Sequence, residues 1–524
     1  MKRRLLAIFI VVLSVVLLMV LLPSCKAAGT TGEETTAGET TAVAEKPVYG
    51  GILKYALTGE PTMLDPHLNA ATLDRMLSDL VHSYLWQQNK ERTGYNPRLA
   101  ESWKWEDDLT LKIKLVEGAL FTNGREVVAD DVKFSLERIL NPDTGSPRMS
   151  LYQSINNIEV IDKYNLIIHL STYNPGLEAS LSRESIIPKE TVDTIKNAPF
   201  GCGPWILKSW EKGVKLVFEK NPNYYRKGLP YSDGFEVRFM PEYTTEKAAL
   251  LNGEIDIIDW PEVSDLESLK STKGIKLNTE TATQEAVMNI TFNTTKEFLD
   301  NAKLRKAIAL ALNRDEFIKL YSAGIGVPMV VPIPTTDPFY NANWEYSQNL
   351  EEAKKLLAEA YPNGIDKTFE ITVYNSPEIK LAEVFQSQMQ QLGIKVTINV
   401  VDLATLIDNV LTKQNFEIAE VGDFWVPGDP NFFITNWFLK GGSINGALGG
   451  WQNAEVTRLA AEALKPHTLE ERKEIYNQLY KIILDENPLI SLCSDAKIAA
   501  MRENVMDFVK YGVETINFEE IWIK

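Results

Sequence analysis

Strand and helix patterns alternate along this chain, which predicts an α/β fold. The clearest stretch opens with Phe369, Ile371 and Val373 on one face of a strand. Leu381, Val384, Phe385, Met389 and Leu392 follow at three- and four-residue spacings, the period of an amphipathic helix, and Gly393 stops them. Ile394, Val396, Ile398 and Val400 then alternate again, completing a strand, helix, strand unit that needs parallel strands. Helix-end signals are the second observation. Asn349 opens a helix carrying Leu350, Leu356 and Leu357, which Pro362 and Gly364 close, and Thr468 with Glu471 forms a capping box ahead of Ile475, Leu479 and Ile482. A further amphipathic helix runs from about Asp300 to Asn313. Strand patterns at Leu109 to Leu115, Asn165 to Leu170, Lys215 to Phe218 and Phe235 to Phe239 are the third observation, and no internal repeat is present.

Taken from its start, the chain first shows an export signal. Lys2-Arg3-Arg4 precedes an apolar run from Leu5 to Leu22 broken only by Ser14, so the basic head stays on the cytoplasmic side. The run is longer than the ~7–15 residues of a secretory h-region and close to the ~20 that span a bilayer, so length alone permits cleavage or a retained anchor. Leu22-Pro23-Ser24-Cys25 resembles the lipobox of bacterial lipoproteins. The resemblance implies a signal peptide over residues 1–25, lipidation of Cys25 and attachment to the outer or periplasmic face of the cell membrane. Residues 26–46, built around Thr-Thr-Gly-Glu-Glu-Thr-Thr-Ala, are too poor in apolar side chains to fold and read as a tether.

Composition restricts what the tethered part does. The 524-residue chain has a formal charge of −17, and losing Lys2, Arg3 and Arg4 would make it more acidic still, which argues against nucleic acid or anionic lipid as a partner. Besides Cys25 only Cys202 and Cys493 occur, giving either one bridge or two buried thiols. The four histidines, His67, His82, His169 and His467, are not at metal-ligand spacing, and no HExxH, CxxC or GxxxxGK occurs. Gly441-Gly442-Ser443-Ile444-Asn445 lacks the last glycine of a nucleophile elbow and reads as a loop. His169, in an alternating strand, reads as structural. The expectation is no catalytic residue, no metal and no cofactor.

A series of short segments points to a family. Gly50-Gly51-Ile52-Leu53-Lys54 leads to Met63-Leu64-Asp65-Pro66-His67. Leu99-Ala100-Glu101-Ser102-Trp103 precedes Phe121-Thr122-Asn123-Gly124 and Ala129-Asp130-Asp131-Val132-Lys133-Phe134-Ser135. Gly203-Pro204-Trp205, Asn221-Pro222-Asn223-Tyr224-Tyr225, Leu251-Asn252-Gly253-Glu254-Ile255-Asp256, Phe292-Asn293-Thr294, Leu304-Arg305-Lys306-Ala307 and Gly428-Asp429-Pro430 follow in order. Together they resemble the family 5 extracellular solute-binding proteins, the dipeptide and oligopeptide receptors of ABC importers. Physically, Asp130 and Asp131 read as first-turn acids of a helix, Gly203-Pro204 as a turn and Arg305 as a surface salt-bridging residue.

The resemblance implies a periplasmic-binding-protein-like type II fold, with two lobes joined by a hinge and an extra domain packed on the first. The first lobe is expected at residues 47–82, 197–280 and 493–524, the extra domain at 83–196 and the second lobe at 281–492. Cys202 and Cys493 would then both lie in or beside the first lobe. The lobes close on a small-molecule ligand and the closed form meets ABC permease subunits. Peptide receptors carry an Asp shortly before the Gly-Asp-Pro turn for the ligand's α-amino group, but here Val426 stands there, so Asp423 or Asp429 would substitute. The Arg that dipeptide receptors use for the ligand carboxylate is absent from Asn375-Ser376-Pro377-Glu378-Ile379-Lys380, and Lys380 replaces it only in part. Aromatic residues crowd the same region, among them Phe424, Trp425, Phe432, Phe433, Trp437 and Trp451, with Trp260 farther back. Trp425, Trp451, Asp423, Asp429 and Phe424 are the candidate ligand contacts. The ligand is an oligopeptide or, alternatively, an oligosaccharide stacked on the rings.

Overall fold

The computed structural model describes residues 46–69, 72–90, 94–278, 286–321, 324–335, 337–344, 347–374, 376–424, 429–495, 498–510 and 516–524. Pro47–Lys524 form one compact unit and Met1–Lys46 the other. The expected signal peptide, Cys25 and the tether up to residue 45 lie outside the described residues. Among the described residues no helix is long and apolar enough to cross a membrane.

Two mixed sheets form the lobes. The first has the strand order Ile275–Asn278, Ala499–Arg502, Ile257–Asp259, Ile52–Leu57, Gly234–Phe239, Lys215–Lys220, Trp205–Glu211. Ile52–Leu57 at its middle is parallel to both neighbours. The second runs Lys395–Val400, Thr368–Val373, Ile418–Glu420, Ala286–Phe292, Asp423–Phe424, with Leu489–Asp495 also paired to Ala286–Phe292. The strand, helix, strand unit of the sequence is here, its parallel strands Thr368–Val373 and Lys395–Val400 joined through the helix Ser376–Gln390. A four-stranded antiparallel sheet, Ala100–Asp107, Thr110–Leu115, Asn165–Leu170, Ile155–Val160, forms the core of the extra domain with the helix Ala129–Leu140.

Local signals set the helix ends. Asn349 accepts from the Glu352 amide at 3.0 Å and starts Leu350–Ala360. Thr468 and Glu471 cap each other ahead of Leu469–Glu486. Asp131 accepts from the Val128 amide at 2.9 Å and pairs with Arg125 at 2.7 Å. The family segments fasten one domain to another: Asp65 takes both Arg138 guanidinium nitrogens, at 2.6 and 3.0 Å, and His67 Nε2 lies 2.9 Å from the Ser185 carbonyl oxygen.

Arg305 corrects an expectation. It is buried instead of exposed, and donates to the carbonyls of Leu299 (2.7 Å), Glu486 (2.9 Å) and Asn487 (3.0 Å). The end of a long helix leaves carbonyls without intrahelical partners, and a guanidinium satisfies several at once.

The chain passes from the first sheet to the second between Asn278 and Ala286 and returns between Asp495 and Ala499. Cys493 therefore sits in the second sheet, opposite Met288, because the apolar strand continues through it. It had been expected to open the last piece of the first lobe. Cys202 belongs to the core of the extra domain, and the two cysteines are buried and not bridged to each other. Burial pushes the Cys202 thiol up to about 12, so it stays protonated and inert at neutral pH.

Candidate ligand-binding site

Three parallel strands of the second lobe end at one edge. Tyr374 follows Thr368–Val373, Val421 and Gly422 follow Ile418–Glu420, and the helix Leu403–Ile407 follows Lys395–Val400. Ala286–Phe292 runs antiparallel, so it begins at that same edge. Ligands in open α/β sheets bind outside the carboxyl ends of the strands, where diverging connections leave a crevice. A cavity of about 300 Å³ lies there. Its described lining includes Met288, Tyr321, Tyr374, Glu378, Leu406 and Glu420. The Tyr321 hydroxyl stands 3.5 Å from Met288 Sδ. Gly422 keeps this wall open, since a Cβ there would come within 3.3 Å of Met288 Cε and 3.7 Å of Glu420 Oε1.

On the first lobe, Trp260 follows Ile257–Asp259, again at the carboxyl end of strands parallel to each other. Its indole is 37 % exposed and its φ is +61°, a left-handed conformation uncommon for a bulky residue. Its amide donates to the Ile498 carbonyl at 3.1 Å, beside the return crossing between lobes. The buried Lys510 ammonium pairs with Asp259 and lies 5.5 Å from the indole ring centre.

Geometry and sequence agree on what kind of protein this is. The family described as bacterial extracellular solute-binding proteins, family 5 (middle), matches residues 94–445. The chain belongs to that family. The family 5 protein is 25 % identical to the oligopeptide-binding protein AppA of Bacillus subtilis (strain 168), over 100 % of both chains. It is 28 % identical to heme-binding protein A of Haemophilus influenzae, over 83 % of this chain and 85 % of that one. Its fold matches the crystal structure of the ABC transporter substrate-binding protein CtaP of Listeria monocytogenes. The TM-score is 0.81 at 22 % identity, over 91 % of this chain and 99 % of that one. The periplasmic-binding-protein type II architecture expected from the sequence is thereby shown.

Sequence-predicted contacts fare differently in the family 5 protein. Trp425 lies outside the described residues, and the backbone of Asp423–Phe424 pairs with Val287 and Ala286 at the edge of the cavity. Asp429 is 4 % exposed and already held: it forms an ion pair with Arg472 and accepts from the Tyr476 hydroxyl at 2.9 Å and the Asn431 amide at 2.7 Å. A carboxylate so engaged would have to give up a buried partner to take a ligand's ammonium. Trp451 is 7 % exposed, packs edge-to-face on Phe438 at 5.9 Å and donates its Nε1 hydrogen to Glu486 at 2.9 Å, which is core packing. Lys380 is exposed and is not among the described residues lining the cavity.

Glu378 and Glu420 escaped the sequence reading. Acids abound in this chain, and the stretch holding Glu378 stands out in sequence only for lacking an arginine. A signal existed all the same: Glu378 stands in the first turn of the helix that leaves the cavity edge.

Proposed function

We propose that this chain is the extracytoplasmic receptor of an ABC importer, anchored through a lipid on Cys25, which captures an oligopeptide between its lobes and delivers it to a membrane permease. The observation that carries this reading is the cavity at the carboxyl ends of the second-lobe strands in a two-lobed family 5 fold. Relatives named for peptides support the ligand class: AppA is an oligopeptide-binding protein and GsiB of Salmonella paratyphi A, 27 % identical over 85 % of this chain, a glutathione-binding one. The oligosaccharide alternative needs rings open to a ligand. Phe433, Trp437 and Trp451 are instead buried against one another and their neighbours, which favours the peptide. Nothing in this reading calls for a chemical step, since binding and release suffice.

Thermal unfolding with short peptides and with oligosaccharides tests it. A ligand at a hundred times its dissociation constant stabilises by about 2.7 kcal/mol, a clear shift in midpoint. Stabilisation by sugars alone refutes the peptide assignment. Release of a Cys25→Ala variant from the membrane fraction is the expected result for the lipid anchor, and its retention there would favour an uncleaved helix.

A further inference from the structure

The cavity at the second-lobe strand ends is walled for an apolar guest. Its two acids, Glu378 and Glu420, are buried and each already interacts within the protein, so they offer a ligand almost no surface. The rest of the described wall is the Met288 thioether, the Tyr321 and Tyr374 rings and aliphatic side chains such as Leu406, Val410 and Ile444. No described lining residue carries an amide, an aliphatic hydroxyl or a positive charge. An apolar cavity of about 150 Å³ holds benzene, so one of about 300 Å³ has room for a ring the size of a Phe or indole side chain. Leu403 and Ile407 line the same cavity yet are half-exposed, as is Val400 just before them. Large apolar side chains left open in a run beside a recess mark a surface that a bound group covers. An aromatic side chain entering here leaves water and finds a sulfur and two rings to pack on. A charged or amide side chain would lose its hydration against a wall of carbon. Resting on the receptor reading above, we propose that this recess takes one large apolar side chain of the transported peptide, an aromatic ring by preference, and so selects among peptides by side chain.

Calorimetric titration of the full chain tests this with Ala-Ala-Ala, the three tripeptides that carry one Phe among alanines, the three that carry one Glu, and free indole. Moving the test residue through all three positions makes the outcome independent of which one reaches the recess. At least one Phe placement should bind about 10- to 100-fold more tightly than Ala-Ala-Ala, the gain expected when such a ring leaves water, and Glu at the same place should bind no more tightly than Ala-Ala-Ala. Leu403→Asp, at an exposed position beside the recess, and Gly422→Val, whose side chain would grow toward Met288, should each cut the Phe preference by about fivefold or more. Tripeptides that bind equally with Phe and Ala at every position overturn the inference and leave the peptide receptor standing. A gain that Glu shares with Phe, or a Phe preference that survives intact in both variants, overturns it as well. Binding of indole and of no peptide supports the apolar recess and overturns the peptide reading, and binding of no probe overturns both. The peptide series is read on the unmodified protein and Leu403 is exposed, so a misfolded Gly422→Val does not remove the test.

Discussion

Gly176 and Asp429 meet between the extra domain and the second lobe: a Cβ added to Gly176 would stand 3.9 Å from that of Asp429. Gly176 precedes the helix Leu177–Leu181 and Asp429 precedes Asn431–Phe438, so two helix starts abut. Replacing Gly176 by Trp inserts a ring at this contact. The backbone at φ −88° accepts any side chain, so the unliganded fold should lose no more than about 1 kcal/mol. If lobe closure brings these starts together, G176W lowers the fraction of closed protein and weakens ligand binding about tenfold. Calorimetry checks the affinity and denaturant unfolding the stability; unchanged affinity would show that this contact does not depend on closure.

Asp65 and Arg138 form one of the ion pairs and hydrogen bonds that hold the extra domain to the first lobe. Burial pushes the Asp65 carboxyl up, but hydrogen bonds and charge from Arg138 outweigh it and hold the carboxyl below its ordinary range. A carboxyl depressed in the folded state contributes stability that is present above about pH 4 and lost as pH falls through the folded value. Asp65→Asn leaves a buried guanidinium without its carboxylate and should cost about 3–5 kcal/mol at pH 7. The difference from wild type should shrink as both are unfolded at progressively lower pH. A constant difference down to pH 3 would contradict this account.

Local chemistry was legible in the sequence and long-range partners were not. Asn349 and Thr468 cap the helices that their spacing announced, because a cap and its amide lie within three residues. Asp429 was read as open to a ligand because its partner, Arg472, comes from a helix far along the chain. Arg305 was read as a surface residue for the same reason, its acceptors at Glu486 and Asn487 being supplied by the end of another helix. Trp451 shows the limit for rings, since composition does not distinguish a core indole from one facing solute. Glu378 and Glu420 come to line one cavity only once the sheet has formed.

Glu246 predicts the opposite pH trend to Asp65. Burial, with help from the Asp259 charge, raises its carboxyl to about 7 from an ordinary 4.5. A group raised in the folded state contributes stability that is fully present below its unfolded pKa and lost as pH rises through the folded one. Wild type should therefore lose of order 2 kcal/mol between about pH 5 and 8 from this residue. Glu246→Gln, which stays neutral, should lack this loss and be more stable than wild type at pH 8. Parallel pH profiles for the two proteins would refute the shift.

Trp260 joins a strained backbone to an exposed ring, and two substitutions separate these properties. At φ +61° a residue with a Cβ costs about 1–2 kcal/mol relative to glycine. Trp260→Ala removes the ring and keeps the strain, whereas Trp260→Gly removes both, so the glycine variant should be the more stable by about 1 kcal/mol. Strain retained at an exposed aromatic residue beside an interlobe crossing suggests that the ring's position serves binding. Both variants should then bind the ligand more weakly by a similar factor, about five- to tenfold, the loss expected for one aromatic contact. Weaker binding in Trp260→Ala alone would mean that the left-handed turn, and not the ring, is what the ligand-bound form requires.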